Sequence, residues 1–218
     1  MYIKDIFFSY QGEGPWVGYP QIFLRLYGCN IHCAYCDEPD FAHQRETVTP
    51  EQVMARLSPL LEKKPHSISV TGGEPLLQVD ALKELIPLFP IPAYLETNGT
   101  LPRHLESVVD LFTYFSVDYK PGFDREFMEF MSILANRPNV YVKWVLTPDF
   151  PIMDLKKLVK TVEAVAKNLP FVIQPVTPFG TIKRGASVAE IDRAFQFAKQ
   201  CLPDVRVIPQ THKYMGVK

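Results

Sequence analysis

The sequence lacks long apolar runs, net charge and internal repeats, and each shortage excludes a class of protein. No stretch reaches the roughly 18 apolar residues that a membrane-spanning helix needs, so we expect no membrane partner. The 218 residues carry a formal net charge of -1, which gives no overall field to attract nucleic acid. There is also no low-complexity segment or fixed-period repeat, which excludes disordered and solenoid classes.

Cysteines are few, and their distribution is uneven. Three of the four fall within eight residues, whereas Cys201 lies far away. This distribution suits a metal site in a reducing compartment better than a disulfide framework. Residues 1–5 lack the basic stretch and apolar core of a signal peptide. We therefore expect a cytoplasmic protein in which residues 1–218 form one domain, since single domains typically run about 100–200 residues.

Short β-rich runs alternate with longer helical patterns along the chain. The predicted strands are 21–26, 67–71, 93–97, 111–117, 140–146, 171–174 and 205–208. The predicted helices are 50–63, 80–88, 102–109, 124–134, 153–168 and 187–200. Two helix starts carry a capping box, one at Thr49 and one at Ser187. The alternation predicts an α/β fold, either an open sheet or an incomplete βα barrel of about six parallel strands with covering helices, and in both cases with ligands at the carboxyl ends of its strands.

The clustered cysteines are Cys29, Cys33 and Cys36, in the spacing C-x3-C-x2-C. Three thiolates on one loop can bind three irons of a 4Fe–4S cluster and leave the fourth iron open. An open iron can hold the amino and carboxylate groups of S-adenosylmethionine, whose carbon–sulfur bond the reduced cluster then breaks. The spacing therefore predicts a cluster that activates S-adenosylmethionine.

The cysteine loop is also compatible with two simpler structures. The thiols could be buried structural side chains, or they could form a zinc site completed by His32 or His43. Zinc sites usually combine two Cys-x2-Cys or Cys/His pairs, and the sequence has no second pair. Cys201 is expected to be a small core residue rather than a fourth ligand.

The loop resembles the signature of the radical S-adenosylmethionine superfamily, with Tyr35 as the aromatic residue before the last cysteine. Residues 71–75 read Thr-Gly-Gly-Glu-Pro and are similar to the superfamily's Gly-Gly-Glu element. The resemblance implies a partial barrel of the radical S-adenosylmethionine type, in which Glu74 accepts a hydrogen bond from the methionyl ammonium group. Paired glycines would allow a ligand to approach the backbone closely.

Four further segments resemble the 7-carboxy-7-deazaguanine synthase family within this superfamily. They are the Gln-Gly-Glu-Gly opening in residues 9–18, Glu-Thr-Asn-Gly-Thr at 96–100, Ser-Val-Asp-Tyr-Lys-Pro at 116–121, and Pro-Gln-Thr-His-Lys within 207–217. This resemblance implies conversion of 6-carboxy-5,6,7,8-tetrahydropterin to 7-carboxy-7-deazaguanine with loss of ammonia, in queuosine and 7-deazapurine biosynthesis. It also implies Mg²⁺, a one-electron donor such as flavodoxin, and a homodimer.

The same resemblance implies two sets of binding residues. Those for S-adenosylmethionine are Tyr35, Asp37, Gly72, Gly73, Glu74, Asn98, Ser116, Asp118, Lys120 and Gln174. Those for the substrate are Tyr10, Gln11, Gly12, Glu13, Arg25, Thr71, Gln210 and His212.

Several of these side chains also suit a pterin chemically. The planar fork of Arg25 matches a carboxylate, and Glu13 can accept from the aminopyrimidinone edge. Each could instead have a purely structural role. Arg25 could form a structural ion pair, residues 11–14 could be a tight turn, and Gln210 and His212 could cap the last strand.

One position departs from the family pattern. The family carries Ser or Thr after the Cys-Asp pair as a Mg²⁺ ligand, whereas this sequence has Glu38. A carboxylate is a competent Mg²⁺ ligand, but its longer side chain cannot occupy the position of a hydroxyl. We expect that a divalent cation is still used, with Glu38 as the candidate ligand.

Two alternative functions remain open from the sequence. A radical activase of a glycyl radical enzyme would dock a large protein and need no pterin pocket. A non-catalytic iron–sulfur electron carrier would bind its cluster through four protein ligands and leave no open iron.

Overall fold

The computed structural model of the protein describes residues 1–37 and 44–217. Its strands are β1 (Tyr2–Tyr10), β2 (Pro20–Leu26), β3 (Glu46–Thr47), β4 (Ser67–Gly72), β5 (Ala93–Thr97), β6 (Tyr114–Asp118), β7 (Val140–Leu146), β8 (Phe171–Pro175) and β9 (Val205–Val207). Its α-helices are α1 (Pro50–Leu61), α2 (Val79–Leu85), α3 (Pro102–Glu106), α4 (Asp124–Leu134), α5 (Ile152–Ala166), α6 (Val188–Lys199) and α7 (Thr211–Met215). Short 3-10 turns cover Gly14–Trp16, Pro75–Gln78, Ile86–Leu88 and Val109–Leu111.

The strands form one sheet in the order β3-β1-β2-β4-β5-β6-β7-β8-β9. From β2 to β9 every neighbouring pair is parallel, whereas β1 pairs antiparallel with both β2 and β3. The sheet does not close, because β3 and β9 remain at its two ends. This mostly parallel, open sheet confirms the predicted incomplete βα barrel and adds β1 and β3 to it through antiparallel pairing.

All seven predicted strands and six predicted helices are present, with some shifted ends. The strand predicted at 111–117 begins at Tyr114, because Val109–Leu111 form a 3-10 turn. Both capping boxes are confirmed: Thr49 Oγ1 accepts from the Gln52 N–H, and Ser187 Oγ accepts from the Glu190 N–H. The prediction missed β1, β3 and the five-residue helix α7.

The parallel strands have two different faces. The outer face is apolar, and its side chains form the main core with residues from the helices. Outward residues include Ile22, Leu24, Ile68, Val70, Leu95, Phe115, Val117, Val142, Leu146 and Ile173. Most parallel sheets are apolar on both faces, but the inner face of this one carries polar side chains near the strand ends. In the described part of the chain, no helix is long and apolar enough to cross a bilayer.

Candidate active site

A cavity of about 670 Å³ lies at the carboxyl ends of the strands. Its size falls within the roughly 300–1,000 Å³ typical of small-molecule sites. Of the residues predicted for binding, the cavity is lined by Tyr10, Gln11, Gly12, Glu13, Arg25, Cys29, Cys33, Tyr35, Cys36, Asp37, Thr71, Gly72, Gly73, Asn98, Ser116, Asp118, Lys120, Gln174, Gln210 and His212. Glu74 is not part of its wall, and Glu38 lies outside the described residues.

The three loop cysteines all face this cavity as free thiols. Burial raises the pKa of Cys29, and the nearby Glu74 charge adds to the effect. Within residues 1–37 and 44–217, no three His, Cys, Asp or Glu side chains are grouped closely enough to hold one metal ion. A four-iron cluster differs from a single ion because each thiolate binds a separate iron. Three thiols that line one cavity are compatible with such a cluster.

Gly72 and Gly73 lie so close to neighbouring backbone atoms that neither position has room for a side chain. A Cβ at Gly73 would lie 1.9 Å from the carbonyl oxygen of Gly28, next to the first cysteine of the loop. Gly72 has φ of +116°, and a Cβ there would lie 2.3 Å from the carbonyl oxygen of Leu26. Both glycines are thus required for β4 to pack closely against the start of the cysteine loop, besides lining the cavity.

Glu74 lies behind the cavity wall rather than in it. Its fully buried carboxylate accepts hydrogen bonds from Leu76 N at 3.0 Å, Thr97 Oγ1 at 2.9 Å and Asn98 N at 2.8 Å. Burial raises the pKa of Glu74 to about 7, although these hydrogen bonds oppose the rise. In this structure Glu74 holds the loop that carries Asn98, and a direct contact with S-adenosylmethionine stays a prediction.

Glu13 is held by three donors from distant parts of the chain. Lys143 Nζ pairs with Oε2, while Gln174 Nε2 and Gln210 Nε2 donate to Oε1 at 3.1 and 2.9 Å. Burial raises the pKa of Glu13, but the charge of Lys143 and these hydrogen bonds outweigh it and hold the value at about 2. Glu13 is therefore an ionised acceptor at the cavity wall at neutral pH.

A row of alternating charges continues from Lys143 towards the cysteine loop. Lys143 Nζ lies 3.5 Å from Asp118 Oδ2, and Lys120 Nζ lies 2.8 Å from the same oxygen. Lys120 also donates to the hydroxyl of Tyr35 at 3.2 Å. Burial raises the pKa of Tyr35 to about 12, so that this hydroxyl stays protonated. The row connects Glu13 to the residue just before Cys36.

Two buried acceptors in the cavity wall have no partner among the described residues. They are Asp118 Oδ1 and Gln174 Oε1. A buried acceptor without a donor costs about 1–3 kcal/mol, which favours a ligand that donates to it. Both belong to the predicted S-adenosylmethionine set, so these two atoms and the three thiols together fit that cofactor and a cluster.

Glu96 on β5 is a half-buried carboxylate at the cavity. It accepts from Gln11 Nε2 at 2.8 Å, Ser69 Oγ at 3.0 Å and Thr71 Oγ1 at 2.8 Å. The amide oxygen of Gln11 in turn accepts from the Glu13 N–H at 3.0 Å. Glu96 thereby orients two predicted substrate residues, Gln11 and Thr71, and the loop that contains Glu13.

Arg25 forms an ion pair with Asp5, which was the structural alternative to substrate binding considered from the sequence. Its Nε lies 2.6 Å from Asp5 Oδ1, across the pairing of β1 with β2. The guanidinium also lies 5.0 Å from the centre of the Phe7 ring. The side chain nevertheless lines the cavity, and its binding of a substrate carboxylate stays a prediction.

The end of the chain closes one side of the cavity. Thr211 N donates to the carbonyl oxygen of Gly12 at 2.9 Å, and a Cβ at Gly12 would lie 2.1 Å from Nδ1 of His212. Lys213 Nζ lies 2.9 Å from Asp37 Oδ2 in the cysteine loop. The segment after β9 is thus a wall of the cavity that contacts both the Gln-Gly-Glu-Gly loop and the cysteine loop.

Two charged residues of this site were given no role from the sequence: Lys143, which was not noticed, and Glu96, which was noted only as the start of the segment 96–100. Each is the charged member of an otherwise largely apolar strand, β5 or β7. A charge in a buried parallel strand is rare unless it is paired or functional, so this signal was available in the sequence. Phe7, Phe23, Ile31, His32, Thr97, Val145, Val176 and Lys213 also line the cavity without having been predicted as ligand contacts.

Comparisons with known proteins agree with this geometry. Residues 24–146 match the model of the radical SAM superfamily. The fold is similar to the crystal structure of QueE from Escherichia coli, with a TM-score of 0.64, 19% identity, and coverage of 97% of this chain and 94% of that one. It is also similar to Streptococcus suis SuiB, with a TM-score of 0.55, 14% identity, and coverage of 88% of this chain and 48% of that one.

Sequence relatives are closer than these structures. The 7-carboxy-7-deazaguanine synthase of Methanothermobacter thermautotrophicus is 34% identical over 99% of this chain and 97% of its own length. The enzyme of the same name from Geobacter sulfurreducens is 30% identical over 98% of this chain and 96% of its own length. The chain therefore belongs to the 7-carboxy-7-deazaguanine synthase family of the radical S-adenosylmethionine superfamily.

Proposed function

We propose that this protein converts 6-carboxy-5,6,7,8-tetrahydropterin to 7-carboxy-7-deazaguanine with loss of ammonia. The observation that carries the proposal is one cavity that joins the cysteine loop to an ionised, oriented Glu13. An electron carrier needs no such polar pocket beside its cluster. An activase that acts on a large protein has no use for a fixed carboxylate of this kind.

Cys29, Cys33 and Cys36 would hold the 4Fe–4S cluster, leaving one iron for S-adenosylmethionine. When bound, the cluster and S-adenosylmethionine supply a one-electron cleavage that generates a hydrogen-abstracting radical. The unpaired acceptors Asp118 Oδ1 and Gln174 Oε1 are suited to the donors of S-adenosylmethionine. Lys120 pairs with the other carboxylate oxygen of Asp118 and so holds the side chain in place.

The substrate would lie beside this cofactor, against the Gln-Gly-Glu-Gly loop. Glu13 can accept from the N–H groups of an aminopyrimidinone edge, because its pKa of about 2 keeps it ionised. Glu96 fixes Gln11 and the hydroxyl of Thr71 at the same wall. His212 and Gln210 shield this side of the cavity from water, which strengthens the hydrogen bonds within it.

Other parts of the proposal concern residues and partners outside this wall. Mg²⁺ would be held with the help of Glu38, because a carboxylate is a hard oxygen ligand. A one-electron donor such as flavodoxin would reduce the cluster. We further propose that residues 1–218 work as a single domain, in a homodimer, in the cytoplasm, where the thiols stay reduced.

Anaerobic reconstitution followed by reaction with 6-carboxytetrahydropterin tests the function. We expect 7-carboxy-7-deazaguanine and ammonia in equal amounts, and a cluster spectrum that changes when S-adenosylmethionine is added to the reduced protein. Full turnover after rigorous chelation, with the cluster intact, would reject the role of Mg²⁺. If the cluster spectrum is the same with and without S-adenosylmethionine, the result would instead favour a role as an electron carrier.

A further inference from the structure

We propose that Lys143 is a positioning residue for the substrate, which orients Glu13 and keeps one oxygen of its carboxylate available to a substrate N–H donor. This inference rests on the proposed function, because it assumes that the molecule bound by Glu13 is a pterin. Lys143 acts through Glu13 and need not contact the substrate itself.

The position of Lys143 is the first argument. It lies in the middle of β7, between the buried residues Val142 and Trp144, and its side chain is 11% exposed. A lysine is almost never buried unless it is paired. Burial lowers the pKa of Lys143, but Glu13 and Asp118 raise it well above its usual value, so the side chain carries its charge.

The acceptor positions of Glu13 are the second argument. An ionised carboxylate has about four acceptor positions, two on each oxygen. Gln174 and Gln210 use both positions of Oε1, and Lys143 uses one of Oε2. Counting the donors among residues 1–37 and 44–217, one position on Oε2 remains for a ligand in the cavity. Because the three donors come from β8, the segment before α7, and β7, the carboxylate cannot turn freely.

The charges around Glu13 show why the cation matters. His212 faces Glu13 from α7 and lowers its pKa, but burial lowers the pKa of His212 itself. Tyr94 on β5 faces Glu13 as a neutral phenol, since burial raises its pKa. The carboxylates nearby add no cation, because Asp118 pairs with Lys143 and Glu96 on β5 accepts from Gln11. Lys143 is thus the cation in direct contact with Glu13 among the described residues.

Without Lys143, the buried Glu13 would take up a proton far more readily. A protonated carboxyl has fewer acceptor positions and a donor of its own, which conflicts with the N–H groups of the substrate. Loss of Lys143 should therefore weaken pterin binding and make that binding depend on pH.

The test measures binding of 6-carboxypterin, the oxidised and fluorescent form of the proposed substrate, to the anaerobic cluster-loaded enzyme. In Lys143→Met we expect affinity at pH 7 to fall about 10- to 100-fold, the size of effect expected when a hydrogen bond to a charged group is lost. Lys143→Arg keeps the charge and should recover part of the loss. Lys157→Met removes a cation from an exposed ion pair with Asp124 and should bind as the wild type does.

Two further readouts separate positioning from a general structural effect. Wild-type affinity should stay flat between about pH 5 and 8, whereas the affinity of Lys143→Met should rise with pH as Glu13 ionises. In a Glu13→Gln background, Lys143→Met should weaken binding by less than about twofold, because the two residues act as one unit.

Each outcome has a clear meaning. Additive losses in the double variant, or a Lys143→Met affinity that is both reduced and flat with pH, would overturn the proposal. So would wild-type affinity in Lys143→Met. If circular dichroism shows that Lys143→Met is not folded, Lys143→Arg is measured in its place, both alone and in the Glu13→Gln background. The same criteria then apply to these two proteins. If the wild type itself neither binds 6-carboxypterin nor turns over the reduced pterin, the proposed function fails instead.

Discussion

The two ends of the barrel interior are built from the same strands but have opposite chemistry. At the amino ends, Tyr94, Tyr141 and Val172 form a small buried cluster with Trp16 and Tyr114. Two residues further along β5, β7 and β8, the inward side chains are Glu96, Lys143 and Gln174. Side chains on one face of a strand recur every two residues, so the next inward position on each strand changes the lining from a buried aromatic layer to a wall of hydrogen-bonded polar and charged side chains.

The aromatic layer and the polar layer are therefore expected to have different roles. The aromatic layer packs Trp16 within 5.2–5.8 Å of three tyrosine rings, and Tyr94 donates to Tyr141 at 3.1 Å. Trp16, the last residue of the turn Gly14–Trp16, is thereby anchored on this layer. We expect the aromatic layer to govern stability and the polar layer, with the cysteine loop, to govern activity.

The largest effect on activity should come from the cysteine loop. In Cys36→Ser we expect no detectable product, because the cluster loses one of three ligands. Iron content and the visible spectrum after anaerobic reconstitution measure the cause. Cys201→Ser, at a half-buried position outside the cavity, should keep its iron and its turnover. Normal activity in Cys36→Ser would show that the reaction does not require the cysteine loop.

The aromatic layer should show the largest effect on stability. Tyr141→Ala should lower the free energy of unfolding by about 3–5 kcal/mol, since it empties a fully buried ring position. Urea unfolding of the iron-free protein measures this without interference from cluster loss. Turnover per folded, cluster-loaded molecule should stay within about twofold. A large loss of turnover at unchanged stability would contradict the division between the layers.

Glu74, beneath the polar wall, should make stability depend on pH. Its folded pKa of about 7 lies above the ordinary 4.5, so folding disfavours its ionised form. Stability should fall as the pH rises from about 4.5 to 7 and then level off, by up to about 3 kcal/mol. Urea unfolding at several pH values measures the slope, and Glu74→Gln should flatten it. An equal slope in both proteins would assign it to other groups.

The smallest predicted effect lies within the polar layer. Glu96→Ala should lower kcat/KM about 10- to 100-fold, because Gln11 and Thr71 lose their common acceptor. The loss should appear mainly in KM, since Glu96 orients residues of the substrate wall. Steady-state kinetics with the reduced pterin measure it, with Ser69→Ala as the control that removes a donor to Glu96 but no predicted substrate contact. A larger loss in Ser69→Ala than in Glu96→Ala would reverse the assigned roles.

The sequence predicted those features that depend on local patterns. The parallel strands follow from β-rich runs, the helix starts from Thr49 and Ser187, and the cysteine loop from its spacing. Such patterns lie within a few residues of one another and need no knowledge of the rest of the chain.

The missed features depend on distant contacts. Strand β1 is mixed in polarity and is ordered by pairing with β2 and β3. The partners of Lys143 lie 130 positions away at Glu13 and on β6 at Asp118. Helix α7 is too short to show a helical period and depends on its contact with Gly12. Glu38 lies outside the described residues, so its role in metal binding stays a prediction.

The bond between Glu13 and Gln210 spans 197 positions of the chain. During synthesis, the loop that carries Glu13 must therefore wait until residue 210 has left the ribosome before it gains this donor. Until then Glu13 sits in an unfinished pocket with one side open to water. The wall around Glu13 is thus completed only when the last elements of the fold have been added, and we expect a fragment that lacks residue 210 to hold Glu13 less firmly.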